Sequence, residues 1–265
     1  MARPVRTLML ALVAGVTLAA ASATAAPSPA VIAALASPAR PPEEKARDDA
    51  RRAAEVVEFA QVKPGDKVAD LFPGGGYFTH IFAKVVGPRG VVYGVVRQKS
   101  KGSDALGSNP SFPNIRIAAQ PWEQFKPAQK LDVVFNSQFY HDLFNPEYGS
   151  NGGGPKGVAR VNKAIFNALK PGGVYVIVDH AGRPGTGYSE MNTLHRIEES
   201  VVKDQLTKAG FVLEAESDIL NNPDDPRTAN VFDPSIRGKT DQFMLRFRKP
   251  KQPPSREKAM RKRLD

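Results

Sequence analysis

The 265-residue sequence contains no cysteine. This excludes disulfides, thiolate metal sites and a cysteine nucleophile, and it is compatible with an oxidising compartment without indicating one. Also missing is a basic stripe interleaved with aromatics, the footprint of a nucleic-acid-binding face, so no specific nucleic-acid partner is expected. The formal charge of +10 sits largely at the ends of the chain. Arg3 and Arg6 lie at the start, and Lys251 to Asp265 carries six basic and two acidic residues, so that about +4 remains for everything between. The triplet Arg261-Lys262-Arg263 can touch acidic lipid or nucleic acid weakly, and residues 251–265 read as a solvated, disordered basic tail. No internal repeat is visible, and nothing suggests coiled-coil assembly. The oligomeric state is not encoded in any pattern here.

What is present begins with an export signal. Arg3 and Arg6 form a positive n-region, Leu8 to Ala21 an uncharged apolar run, and Ala23-Thr24-Ala25 a small-residue cleavage site. The run falls short of the roughly 20 residues that span a bilayer, and no cysteine follows it for lipid attachment. Residues 1–26 are therefore expected to be a signal peptide, and the mature chain periplasmic or secreted. A membrane contact would come only from an uncleaved leader or the tail. Residues 27–46, rich in Ala, Pro and Ser, read as a linker or an early helix with few partners. About 200 residues remain, enough for one α/β domain, expected over 47–250.

Within that domain the pattern alternates. Glu43 to Ala60 has helical spacing, with Ala53, Val56, Val57 and Ala60 on one face. Lys67 to Phe72 reads as a strand, Pro73-Gly74-Gly75-Gly76 as a tight loop, and Phe78, Ile81, Phe82 and Val85 as the inner face of a helix that Gly87-Pro88 stops. Further strands are expected at Val91 to Val96, Asn114 to Ala118, Leu131 to Phe135 and Val174 to Val178, with a helix at Val158 to Leu169. A long helix is expected from Tyr188 to Ala209, capped by Ser189 and ended by Gly210. Phe211 to Glu216 and Gln242 to Arg248 then have no helix between them, which suggests an antiparallel pair closing a parallel sheet. The fold class is α/β: a Rossmann-like, doubly wound, mostly parallel seven-stranded sheet with an antiparallel last strand.

The glycine loop stands between a strand and a helix N-terminus. Free N–H groups and the positive end of the helix dipole suit a carboxylate or phosphate there. The alternative is a turn that needs glycine for its backbone angles alone. The stretch Val68 to Thr79 around this loop resembles motif I of class I S-adenosylmethionine-dependent methyltransferases. Leu169-Lys170-Pro171-Gly172-Gly173 and Lys208-Ala209-Gly210-Phe211 resemble that family's entries to its fifth and sixth strands. More narrowly, the chain resembles a group of exported bacterial proteins described as predicted methyltransferases. That likeness rests on Pro73-Gly74-Gly75-Gly76-Tyr77, Tyr140-His141-Asp142, Val178-Asp179-His180 and Leu194-His195-Arg196-Ile197-Glu198.

The resemblance implies that S-adenosylmethionine is the cofactor. The backbone from Pro73 through Gly74, Gly75 and Gly76 to Tyr77 would face its carboxylate, and Asp70 its amino group. Gln98, Trp122 and Asn136 would line the rest of the cofactor site. Two departures stand out. Phe72 occupies a position where the family has glycine, and Arg97-Gln98 stands where an acid normally grips the ribose. An Arg at that place also fits the 2′-phosphate of NADP, so an NADP-linked oxidoreductase is one rival reading, although the spacing is not G-x-G-x-x-G. A non-catalytic binding protein of the same fold is the other. Trp122 is either a stacking partner for adenine or an anchor in the core.

His141, Asp142 and His180 are the candidate catalytic residues for a small-molecule acceptor. His141-Asp142 follows the fourth strand and Asp179-His180 ends the fifth, at the edge where such folds place ligands. A histidine with an acid beside it can act as a base. No metal is assigned, because these residues lie on separate loops without metal-ligand spacing. His195 is expected on a helix flank in a structural role. Asn151-Gly152-Gly153-Gly154-Pro155 reads as a lid or as a long loop.

Overall fold

The computed structural model describes residues 26–251 apart from 148, 150 and 151. The expected signal peptide and the expected basic tail lie, but for their inner residues 26 and 251, outside the described residues. The elements in order are α1 (Pro29–Ala36), α2 (Pro42–Lys45), α3 (Ala53–Phe59), β1 (Lys67–Leu71), α4 (Tyr77–Val86), β2 (Val91–Val96), α5 (Lys101–Ser108), β3 (Ile115–Ala119), β4 (Leu131–Ser137), α6 (Gly154–Ala168), β5 (Leu169–His180), α7 (Glu199–Lys208), β6 (Val212–Ser217) and β7 (Gln242–Arg248). The strands form one seven-stranded sheet in the order β3-β2-β1-β4-β5-β7-β6. The first five run parallel, and β7 pairs antiparallel with both β5 and β6.

Continuous apolar runs explain the buried strands. Val133, Val134 and Phe135 in β4 and Val174 to Val178 in β5 are all inaccessible, as a parallel sheet covered on both faces requires. One face packs on α1, α3 and α4 through Val31, Val56, Ile81 and Phe82. The other packs on α6 and α7 through Val158, Ile165, Val202 and Leu206. The strand order reverses at β1 and β4, and this switch point opens the crevice where such sheets hold ligands.

Three expectations are corrected. Residues 27–46 are not a tether: Ser28 caps α1, and Val31 and Ala34 are buried. Fully burying a valine of this kind contributes about 1.5–3 kcal/mol. Arg40 is also fully buried, with two bonds of 2.7 Å to the Asp48 carboxylate. The helix expected from Glu43 to Ala60 is split in two, because Arg52 adopts a left-handed conformation (φ 48°) and restarts the chain at α3.

The helix expected from Tyr188 to Ala209 is present only from Glu199. Residues 184–194 form successive single turns, Ser189 bonding back to Thr186 and Met191 to Tyr188. Ile197 runs extended beside Ala181 at the end of β5. Spacings of three and four residues bury the same side chains in a chain of turns as in a helix, so periodicity alone did not separate them. The helix α5 had no counterpart in the sequence pattern. It is fixed by the Ser100–Ser103 capping box, with only Ser103 and Leu106 buried.

Candidate active site

The glycine loop lies at the carboxyl end of β1. Gly76 caps α4 at φ 92°, a backbone angle that favours glycine, and a Cβ there would press on the Leu106 Cδ1 methyl at 2.7 Å. Gly75 differs: its φ is not positive, and a Cβ would find nothing within 4 Å. The Gly76 N–H bonds to Pro73 O, whereas those of Gly74, Gly75 and Tyr77 have no partner among the described residues. Phe72 keeps the left-handed conformation (φ 58°) that glycine adopts without strain. Its half-exposed ring stacks on Phe139 with centroids 4.3 Å apart.

Behind the loop, the Asp70 carboxyl accepts a 2.6 Å bond from the Thr79 hydroxyl. Burial raises its pKa to about 7, against a partial opposing effect of the Thr79 bond and of Arg51. It fastens β1 to α4 and does not reach the cleft wall. The Tyr77 hydroxyl donates to Asp48 Oδ1 at 2.6 Å, so its side chain clasps the N-terminal segment and only its N–H faces the loop. Burial and the bond to Asp48 raise the Tyr77 pKa.

A cleft of about 770 Å³ opens beside the loop. Gly74, Phe72, Gln98, Trp122, Phe139, Asp142 and His195 are among its walls. Trp122 is buried and tilts against Phe139 at 5.2 Å, so it serves as core anchor and cleft wall together. Arg97 reaches across to Glu147 O at 2.8 Å. Asn136 is fully buried, 3.5 Å from the Tyr175 hydroxyl, and does not line the cleft. Gly153, in the stretch read as a lid or a long loop, packs tightly, since a Cβ there would meet Phe144 O at 2.6 Å. Asn151 lies outside the described residues.

Opposite the glycine loop is a histidine wall. Asp179, at the end of β5, is fully buried and accepts from three donors at 2.8 Å: the His141 N–H, the His180 N–H and His141 Nδ1. Burial alone would raise its pKa, but His141 outweighs that and holds it low. For His141, burial would lower the pKa, and the charge and hydrogen bond of Asp179, with Asp142, raise it. Asp179 thereby keeps a proton on Nδ1 and directs Nε2 outward. There His141 Nε2 lies 3.3 Å from His195 Nδ1 and 3.5 Å from Asp142 Oδ1, and the last two are 3.7 Å apart. Burial raises the Asp142 pKa. Burial, followed by His141, lowers that of His195.

His195, expected in a structural role, lines the cleft, and its only sequence signal toward the site was the Leu194–Glu198 resemblance. It takes a left-handed conformation (φ 55°), and the fully buried Arg196 beside it is gripped by both Asp225 oxygens. His180 turns away. Its Nδ1 meets Thr240 Oγ1 at 2.8 Å, burial lowers its pKa to about 3, and it lines a separate cavity of about 490 Å³ with Arg51 and Phe232.

Comparisons with known proteins agree with the fold. A family profile described as "Methyltransferase domain" matches residues 62–233. A protein-L-isoaspartate O-methyltransferase of Ignicoccus hospitalis is 26% identical over 163 residues. The match covers 59% of this chain and 66% of that one, so the chain spans about two thirds of that relative. A SAM-dependent methyltransferase from Aquifex aeolicus superimposes with a TM-score of 0.55 at 17% identity, over 77% of this chain and 93% of that one. A Burkholderia thailandensis 1,6-didemethyltoxoflavin-N1-methyltransferase, solved with its substrate and S-adenosylhomocysteine, gives 0.52 at 16% identity, over 76% and 78%. At these identities the structures speak for the fold.

Proposed function

The chain belongs to the methyltransferase-domain family, and from that premise we propose that it is a methyltransferase moving a methyl group from S-adenosylmethionine to a small acceptor in the bacterial cell envelope. The observation that carries the cofactor assignment is the glycine loop. Gly74, Gly75 and Tyr77 present unpartnered N–H groups at the head of α4, with open space at Gly75. A carboxylate fits that donor set and that helix end. Gln98 and Ser103 offer hydrogen bonds farther along the cleft, and Phe72 and Trp122 apolar surface.

The cofactor supplies an activated methyl on a sulfonium. The residues of the chain contribute position. The loop holds one end, the aromatic wall confines the cleft, and the acceptor's place is at the His141, Asp142 and His195 side. With the cofactor held by the loop, Asp142 and His195 would line the side of the cleft from which an acceptor reaches the methyl group. Alignment of the two reacting groups is the main demand of methyl transfer. Support for the envelope location is the leader pattern of residues 1–26. Among the described residues no helix is long and apolar enough to cross a membrane.

Calorimetry on the full chain tests the reading. Saturable binding of S-adenosylmethionine and S-adenosylhomocysteine is expected, and Gly75→Asp should weaken both at least about 100-fold by filling the loop and repelling the carboxylate. Absence of binding at millimolar ligand rejects the methyltransferase reading, and saturable NADPH binding would favour an oxidoreductase. A mature N-terminus at Ala26 or Pro27, read by mass spectrometry of exported protein, checks the location.

A further inference from the structure

We propose that His141 Nε2, Asp142 Oδ1 and His195 Nδ1 form a binding site for a divalent first-row transition-metal ion of the zinc type, open toward the cofactor cleft. This deepens the methyltransferase reading, and it rests on that reading only for what the metal would do to the acceptor.

The geometry is that of a ligand set. The three atoms form a nearly equilateral triangle with edges of 3.3, 3.5 and 3.7 Å. Neighbouring ligands about 2.0–2.2 Å from one tetrahedral ion are separated by roughly 3.3–3.6 Å. Hydrogen bonding explains the triangle less well. N–H donors sit about 2.7–3.2 Å from their acceptors; the 3.3 Å edge between the imidazoles is a long hydrogen bond, and the two edges to Asp142 exceed the range. Asp142 Oδ1 is inaccessible and faces the two imidazoles at 3.5 and 3.7 Å, ion-pair distances too long for a good hydrogen bond. A buried acceptor left in that state is costly, and a cation between the three atoms would satisfy it.

The surroundings fit as well. The far nitrogen of His141 is held by Asp179 at 2.8 Å, the carboxylate–histidine support that orients imidazole ligands and makes them more basic. Phe232 packs edge-on against His195 with centroids 5.0 Å apart. Three protein ligands of two imidazoles and one carboxylate leave a coordination position free, as catalytic sites do and structural sites do not. Asp142 and His195 both line the cleft, so the free position faces it. The ligand class for that position is a small acceptor bearing a hydroxyl, carboxylate or amine. Coordination would fix its reacting atom before the cofactor and ease loss of its proton.

The test uses the full chain without a polyhistidine tag, stripped with EDTA and dialysed against zinc sulfate or cobalt chloride. One zinc per chain is expected by atomic absorption, and cobalt should give the intense visible bands of a four- or five-coordinate ion. Affinity should fall at least about 100-fold in His195→Ala and Asp142→Ala, and about 10–100-fold in Asp179→Asn, where only the support is lost. Circular dichroism reports whether each variant folds. X-ray absorption on the zinc-loaded natural chain needs no variant and should show two imidazoles with oxygen ligands. No retained zinc or cobalt, uptake unchanged in both ligand variants, or a zinc environment without two imidazoles overturns the site. Metal is measured without cofactor, so that failure leaves S-adenosylmethionine binding intact. Lost cofactor binding with normal zinc uptake would sink the methyltransferase reading and keep the metal site.

Discussion

The two walls of the cleft are built in opposite ways. The loop wall is local: β1, Pro73 to Gly76 and α4 follow one another within twenty residues of chain, and backbone groups supply the contacts. The histidine wall is assembled from three distant places: the turn after β4, the end of β5 and the stretch ending at His195, which is 54 residues from His141. The first needs glycine and a helix end. The second needs buried charge to hold irregular chain in place, and Arg196 with Asp225 provides it. A backbone site can be written in a short motif, whereas a side-chain site of this kind depends on tertiary contacts throughout.

The largest expected effect breaks the histidine wall. Arg196→Ala leaves Asp225 buried without its cation and frees the carbonyls of Ala181 and Ala229. Loss of one partner from a buried pair costs about 3–5 kcal/mol, measurable as a fall in the urea midpoint. A loss below about 1 kcal/mol would mean that the pair does not hold this wall.

Behind the loop wall lies a buried carboxyl, and pH exposes it. Asp70 is raised from 3.8 to about 7 by burial. Below the unfolded value both states are protonated and its contribution is fully present. As pH rises from about 4 to about 7, only the unfolded state ionises, so stability falls. Asp70→Asn removes that loss. The variant should match the natural chain near pH 4 and exceed it by up to about 4 kcal/mol at pH 8, read from denaturation at the two pH values. A gap that stays constant with pH would show that Asp70 is not held neutral.

The smallest effect lies at the seam between the walls, where Phe72 stacks on Phe139. Phe72→Gly relieves a left-handed side chain, worth about 1–2 kcal/mol, and loses both a ring contact of about 0.5–1.5 kcal/mol and some chain stiffness. Net stability should change by about 1 kcal/mol or less in thermal unfolding. A loss well beyond that would show that the ring, not the backbone angle, holds the seam.

Legibility in the sequence follows the same division. The strand–glycine–helix unit, the alternation through β5 and the closing antiparallel strands were readable because apolar periodicity and turn residues specify them locally. His141 and Asp142 were readable as chemistry at a strand end. His195 was not, because Met191, Leu194, Ile197 and Val201 mimic a helix face, while the turn that brings the imidazole inward is set by Arg196 reaching Asp225 far down the chain. The role of residues 29–45 was hidden for a similar reason. Pro and Ala between short helices look like a spacer until Arg40, Asp48 and Tyr77 are seen together.

That last group bears on how a ligand would meet the loop. Tyr77 begins α4, and its hydroxyl is already fixed on Asp48 in a segment wedged under Arg40. The entropy of ordering this stretch is therefore settled during folding and not at the encounter. A small molecule arriving at Gly74 and Gly75 finds donors with little freedom left to lose, and more of the contact energy remains as affinity.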